Sequence, residues 1–377
     1  MSEQKTPMAP VMCVVGARPK FMKMAPILRA LAEHEPPIPA LLLHTGQHYD
    51  TDMSKKLFVD LGLPQPDINL EVGSGSHAQQ TAEVMRRFEP ALDEHKPSCV
   101  LVVGDVNSTL ACTLVAVKKA VPVAHVEAGL RSYDRQMPEE INRLLTDQVA
   151  DRLYTTERSA LANLLREGIA EERVIFAGNV MIDSLEASRP SARKPADTLA
   201  AHGIAPQLVS GRYGVVTLHR PSNVDDAETL SALLDVLATV AHDLPLVFAM
   251  HPRTRSNIER FGLGGRLDPA RVAVLPPQGY LEMLGLMAGA TLVLTDSGGL
   301  QEETTALGIP CLTARENTER PITVEQGTNT MVGLDREAIL RGVAEILAGR
   351  GKTGRRPEYW DGHTAERIAA DLYQWLG

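Results

Sequence analysis

The densest chemistry in the chain lies between Leu292 and Arg320. An apolar run, Leu292 to Thr295, ends abruptly in Asp296, Ser297, Gly298 and Gly299, and a helix-compatible stretch with Glu302 and Glu303 follows. The order is that of a strand, a glycine turn and a helix N-terminus. Ser297 suits an N-cap, and the glycines let a ligand approach the backbone. Free N–H groups and the positive end of the helix dipole suit a diphosphate. The acids one turn in could accept hydrogen bonds from ribose hydroxyls. Arg315 and Arg320 follow in one short loop. Together these residues read as a seat for a nucleotide diphosphate.

Other clusters stand just after apolar runs. Gly16-Ala17-Arg18-Pro19, with Lys23 a turn later, suits a phosphate, but it equally suits a plain turn with a solvated arginine. Asp105, in Gly104-Asp105-Val106-Asn107-Ser108, ends a strand. It could serve as a helix cap, although Asn107 or Ser108 could cap equally well, which tilts Asp105 towards function. His125 and Glu127 lie two apart and so share a face of a regular strand. A charge there is costly unless paired or used. Glu139 and Glu140 follow Pro138, with Asn142 and Arg143 behind them. Spacing alone favours an ordinary helix first turn for these acids over catalysis. His219 and Arg220 fit an anionic leaving group, while His251, Arg253 and Arg255 fit either that or a solvated basic loop.

The elements that must position these residues form a repeating pattern. Short β-branched runs (Val11–Val15, Ala40–Leu43, Cys99–Val103, Val121–Val126, Arg152–Tyr154, Val174–Phe176) alternate with helical stretches such as Lys20–Glu33 and Ser108–Lys119. The pattern lapses over Ser184–Arg212, read as a helix plus linker. It resumes at Gly214–Leu218, Leu246–Met250, Arg271–Leu275, Thr291–Leu294 and Cys311–Thr313. Such alternation predicts right-handed βαβ units and parallel sheets. The fold class is therefore α/β, with two doubly wound Rossmann-like domains divided near Asp183. Ligands of such sheets bind beyond the carboxyl ends of the strands, so the clusters should converge on one cleft between the domains.

With 377 residues, the chain is long enough for two domains. Its net charge of −9 and scarce aromatic residues argue against nucleic acid as a partner. Cys13, Cys99, Cys112 and Cys311 stand apart inside apolar runs and read as buried thiols in a reducing compartment. No apolar stretch reaches the roughly 18 residues needed to cross a bilayer, and Met1–Pro10 lacks the apolar segment of a signal peptide. A cytoplasmic location is expected. No metal site is expected, because no His-Glu-x-x-His occurs and Gly46 places His44 and His48 around a loop. Gly73-Ser74-Gly75-Ser76-His77-Ala78 matches a dinucleotide fingerprint, but the preceding Asp67–Val72 is a poor strand. It reads as a loop leading into a helix over Gln79–Arg87.

In their order, these clusters resemble the non-hydrolysing UDP-N-acetylglucosamine 2-epimerases over nearly the whole chain. The resemblance is carried by Gly16–Pro19 with Lys23–Pro26, Gly104-Asp105, His125–Arg131, Pro138–Glu140 with Asn142-Arg143, His219-Arg220, Asp296–Glu303 and Glu319–Pro321. It implies a fold of glycosyltransferase-B type, two Rossmann-like domains facing across a cleft. Residues 1–183 would form one domain and residues 184–363 a UDP-binding one, with the helix 364–377 crossing back onto the first.

The implied reaction is elimination of UDP with loss of the carbon-2 proton, then re-addition with a proton delivered to the opposite face. Asp105, Glu127, Glu139 and His219 match the family's catalytic positions. Arg18, His219, Ser297, Gly298 and Gly299 would hold the diphosphate, Glu303 the ribose, and Arg320 the nucleotide or sugar, while Gln278 falls in the uracil-binding loop. Lys23, Arg143, Arg220, His251 and Arg315 complete the substrate-binding set. The resemblance implies a UDP-sugar substrate, a homodimer, and neither cofactor nor metal.

The chain departs from the family pattern in places. Arg18-Pro19-Lys20 replaces Arg-Pro-Glu, and Pro221-Ser222-Asn223 follows the His-Arg pair in place of an acid and asparagine. Gln47-His48-Tyr49 replaces a Gln-His-Arg of the activator site, and an arginine expected near Val72–Gln79 is absent. Similar sequences include epimerases of UDP-linked 2,3-diacetamido uronic acids and enzymes that hydrolyse the product.

Overall fold

The computed structural model describes residues 8–16, 18–46 and 62–377, with the backbone alone at Arg18 and Pro19. The Gln47-His48-Tyr49 segment therefore lies outside the described residues, as do the first seven residues and the Arg18 side chain. The chain forms two compact units. One comprises the residues up to Ala187 together with Glu358–Gly377, and the other comprises Ser188–Pro357.

The first unit holds a seven-stranded, all-parallel sheet. Its strands are β1 (Val11–Val15), β2 (Ala40–His44), β3 (Ile68–Asn69), β4 (Cys99–Val103), β5 (Val123–Ala128), β6 (Arg152–Thr155) and β7 (Val174–Phe176), in the order β3-β2-β1-β4-β5-β6-β7. β1, β4 and β5 are buried along their whole lengths, as strands covered by helices on both faces must be. Removing each of their valine and leucine side chains from water is worth about 1.5–3 kcal/mol. Β-branched residues also suit the pleat. Cys13, Cys99 and Cys112 are buried here, and Cys311 is buried in the second unit; none is in a disulfide.

The second unit holds β8 (Gly214–Thr217), β9 (Leu246–Ala249), β10 (Val272–Leu275), β11 (Leu292–Thr295), β12 (Cys311–Thr313) and β13 (Asn329–Met331), parallel and in the order β10-β9-β8-β11-β12-β13. In each sheet the strand order reverses once, between β1 and β4 and between β8 and β11. A crevice opens beyond the carboxyl ends of the strands at such a reversal. The described residues that follow these four strands include Gly16, Gly104-Asp105, His219-Arg220 and Asp296–Gly299, so the topology alone selects them.

Several elements differ from the sequence-based expectation. The helix expected over Gln79–Arg87 runs from His77 to His95, because Ser76 and Gln79 form a reciprocal capping box and Pro90 does not end it. The Asp67–Val72 region does contain a strand, the two-residue β3, added at the sheet edge beside β2. β13 has no apolar run to announce it and is held by pairing with β12. The expected linker over Ser184–Arg212 contains the end of a helix at Val180–Ser188 and a further helix at Pro195–Ala201.

The helix Arg18–Glu33 follows β1 and carries Pro26. Proline has no N–H for the carbonyl four residues back. That carbonyl, Met22 O, instead accepts from the Ser184 hydroxyl. The final helix, Thr364–Leu376, packs against Arg18–Glu33 within the first unit. Asp183 accepts from Ala365 N at 2.7 Å and Asp371 pairs with Arg152 at 2.6 Å.

Candidate functional site

In the first unit Lys23, Asp105, Glu127 and Arg143, all predicted, lie in one charged cluster with Lys20 at the β1/β4 reversal. Gly104 follows β4 with φ +69, and the Lys20 ammonium occupies the place where a Cβ would stand, so only glycine fits. Asp105 is half-buried between two cations. Its Oδ1 lies 2.9 Å from Lys20 Nζ and its Oδ2 2.6 Å from Arg143 Nη1. Its main-chain oxygen accepts from Asn142 Nδ2 at 2.9 Å. Burial pushes the carboxyl pKa up, but Lys20, Arg143 and Lys23 together hold it far below the usual carboxylate range.

Glu127 sits where β5 breaks its regular pairing with β6, in a left-handed backbone conformation (φ +70) that is uncommon for a residue with a side chain. Strain of this kind concentrates at functional positions. Both Glu127 oxygens are 2.5 Å from Lys23 Nζ. The irregularity also corrects the expectation that His125 and Glu127 follow simple alternation. His125 is fully buried, with Nδ1 2.6 Å from Asp147 Oδ1 and Nε2 2.8 Å from Gly104 O. Asp147 also accepts from Gly129 N and pairs with Arg131 at 2.7 Å. Burial raises its pKa, but His125 and Arg131 outweigh that and lower it. His125 thus ties β5 to the loop that carries Asp105.

Glu139 and Glu140 have different environments. Glu140 is buried and accepts from Ser132 N, Tyr133 N and Arg143 at 2.7–2.9 Å. Glu139 is half-buried, and its carboxylate has no hydrogen-bond or ion-pair partner among the described residues. Asp147 and Lys20 were not singled out as site residues from the sequence. The signal for Asp147 was its spacing: Glu140, Arg143 and Asp147 recur at three and four along one helix face.

In the second unit Asp296 is the hub at the β8/β11 reversal. It is fully buried, with Oδ2 accepting from His219 N and Arg220 N at 2.8 Å and from Asn223 Nδ2 at 3.1 Å. Its Oδ1 faces His219 Nδ1 at 2.8 Å. Burial raises the Asp296 pKa, and these donors, His219 foremost, bring it below the ordinary value. The His219 and His251 rings lie 5.7 Å apart. His251 Nδ1 accepts from Arg253 N, and its pKa is lowered by burial, by His219 and by Arg253. Arg253 itself is paired with Asp225, so the loop is less basic than its sequence suggests.

The helix Gly298–Leu307 begins at this reversal. Ser297 occupies the N-cap position, but its hydroxyl makes no cap bond, contrary to expectation; its N–H instead donates to Thr295 Oγ1 at 3.0 Å. The helix start is therefore not closed by its own cap side chain. A Cβ on Gly298 would stand 2.5 Å from Glu319 Oε1, whereas one on Gly299 would meet nothing. Glu319 pairs with Arg315 at 2.9 Å. Burial would raise its pKa, but Arg320 and Arg315 bring it down to about 2. Arg320 pairs with Glu302 at 2.7 Å, and Glu303 is buried beside the Tyr280 hydroxyl. Gln278 stands apart in the loop after β10, donating to Pro276 O at 2.7 Å. The described residues hold no cluster of three or more metal-ligating side chains.

The model of the UDP-N-acetylglucosamine 2-epimerase family matches residues 29–373. The chain belongs to that family. It is 41% identical to the UDP-N-acetylglucosamine 2-epimerase of Methanocaldococcus jannaschii, over 95% of this chain and 97% of that one. It is 40% identical to the UDP-2,3-diacetamido-2,3-dideoxy-D-glucuronate 2-epimerase of Pseudomonas aeruginosa, over 96% and 99% of the two chains. The crystal structure of the M. jannaschii enzyme in complex with UDP-GlcNAc and UDP superimposes with a TM-score of 0.86, at 40% identity and over 97% of this chain and 99% of that one. The epimerase family's two-domain Rossmann-like architecture is thus the architecture of this chain, and an epimerase is the class of enzyme it belongs to.

Proposed function

We propose that this epimerase interconverts UDP-N-acetylglucosamine and UDP-N-acetylmannosamine without hydrolysis. The carbon-2 proton is not acidic, since the neighbouring amide nitrogen offers no enolate. The reaction therefore runs by elimination. A carboxylate takes the carbon-2 proton, a carbon-1–carbon-2 double bond forms, and the carbon-1–oxygen bond breaks with its electron pair leaving on UDP. UDP then re-adds while a proton is delivered to the opposite face of carbon-2. Such chemistry needs acid–base groups for both faces and stabilisation of the departing diphosphate. Asp105, Glu127 and Glu139 supply the first. His219, Arg18 and the open helix start at Ser297-Gly298-Gly299 supply the second.

The observation that carries this reading is the pair of reversal-point clusters: carboxylates held by cations in one unit, and an uncapped glycine helix start beside His219 in the other. Turnover in heavy water tests it. The product must carry deuterium at carbon-2, and unlabelled product overturns the mechanism; free N-acetylmannosamine appearing with UDP would indicate the hydrolysing reaction instead. A second substrate, the UDP-linked 2,3-diacetamido uronic acid, is favoured by the 40% identity to the Pseudomonas enzyme, and the same labelling measurement made on both sugars separates them.

A further inference from the structure

Two ammonium groups one turn apart on the Arg18–Glu33 helix each meet one carboxylate. Lys23 meets Glu127, and Lys20 meets Asp105 at 2.9 Å. Lys20 is 7% exposed, and its ammonium packs against the Cα of Gly104, which has no side chain to displace it. The charged groups around Asp105 are Lys20 and Lys23 from that helix, Arg143 and Glu140 from the Pro138–Val149 helix, and Glu127 from β5. Arg143 is shared, since its second nitrogen serves Glu140. Asp105 thus has a cation at each oxygen, Lys20 at Oδ1 and Arg143 at Oδ2.

We propose that Lys20 is a positioning residue for the reaction: with Arg143 it fixes both oxygens of Asp105, so that this carboxylate enters the reaction as an anion of set orientation. Lys20 acts through Asp105 and requires no contact with substrate. Burial acts against the anion, and opposite charges within a few ångströms restore it. Removing one of the two direct partners leaves the carboxylate desolvated and half-compensated. The consequence for turnover rests on the epimerase reading above; the effect on Asp105 itself does not.

The test uses Lys20→Met and Lys20→Arg in the full chain, with two readouts. Carbon-13 NMR of aspartate-labelled protein, with Asp105 assigned by its loss in Asp105→Asn, follows the carboxyl titration without substrate. The pH profile of kcat/KM follows the reaction. In Lys20→Met the Asp105 titration and the acid limb should both move to higher pH by about one unit or more. The kcat should fall about tenfold or more, the factor that one pH unit of altered interaction represents, with KM little changed, and Lys20→Arg should restore both. An Asp105 titration that stays in place in Lys20→Met overturns the proposal, as does a Lys20→Arg variant as impaired as Lys20→Met with an unmoved profile. If Lys20→Met does not fold, Lys20→Gln carries the same comparison. If the wild type places no deuterium at carbon-2, the epimerase reading fails while the titration still decides the role of Lys20.

Discussion

His219 and Asp296 are joined twice, through side chain and backbone: Nδ1 lies 2.8 Å from Oδ1, and the His219 amide donates to Oδ2 at 2.8 Å. The carboxylate faces one ring nitrogen and so fixes which tautomer the ring adopts. Nε2 is left for a ligand on the 40% of the side chain that remains exposed. Replacing Asp296 by Asn presents an N–H where the ring needs an acceptor. Turnover should fall about 10²-fold, the cost of a misoriented reacting group, with a far-UV circular dichroism spectrum like that of the wild type. Unchanged kcat/KM would remove His219 from the reaction.

The two adjacent glutamates occupy different environments, so on the proposed reaction their variants should fail differently. Glu140→Gln weakens a buried pair with Arg143 and should lower stability by roughly 3 kcal/mol in urea melts. Glu139→Gln removes no partner among the described residues, so its melt should match the wild type. Its turnover should nevertheless drop about 10²–10⁴-fold, the range of a lost acid–base group. Equal stability losses in both would contradict the distinct environments of the two acids.

The two glycines of the helix start make opposite predictions. In Gly298→Ala the new methyl meets Glu319, so the melting temperature should fall, by an amount corresponding to about 1–3 kcal/mol. Gly299→Ala adds its methyl to open space and should fold normally. If the diphosphate sits at this helix start, Gly299→Ala should weaken UDP binding in calorimetry at least tenfold. Wild-type affinity in Gly299→Ala would place the diphosphate elsewhere.

Asp183 predicts a pH dependence of stability. Burial pushes its carboxyl up to about 6 from an ordinary 3.8, while its bonds to the start of the final helix pull the other way. The protonated form is the one the folded chain favours. Its contribution is complete below pH 3.8 and is lost as pH rises through about 6. At about 1.4 kcal/mol for each pH unit, this amounts to roughly 3 kcal/mol. Asp183→Asn should remove this slope in melts recorded between pH 4 and 7; an identical slope in the variant would refute the assignment.

UDP should raise the melting temperature of the wild type. Ligand at a hundred times its dissociation constant stabilises a folded protein by about 2.7 kcal/mol. No shift at millimolar UDP would argue against a nucleotide site in this chain.

Much of this architecture could be read from the sequence, for physical reasons. Fully buried strands such as Cys99–Val103 announce themselves as apolar runs, and the polar residues after them mark the loops at the reversals. β13 did not announce itself, because Asn329 and Thr330 are polar and their strand exists only through pairing with β12. Glu127 carried no sign of its left-handed backbone, which arises from a pairing irregularity between two strands. Asp296 was visible only as the end of a strand. Its role as hub depends on amides and side chains some 73 to 77 positions away, a distance over which spacing carries no information. Lys20 shows the same limit, since its partner lies 85 positions along the chain.

The glycine at 104 shares its space with the ammonium at 20. A methyl group at 104 would meet that ammonium and would also have to bear a left-handed backbone, so clearing the side chain at 20, which takes a cation from the acid at 105, is necessary for it but not sufficient. The constraint runs in one direction: the residue at 20 can change while the glycine stays, but the glycine cannot gain a side chain while Lys20 keeps its place.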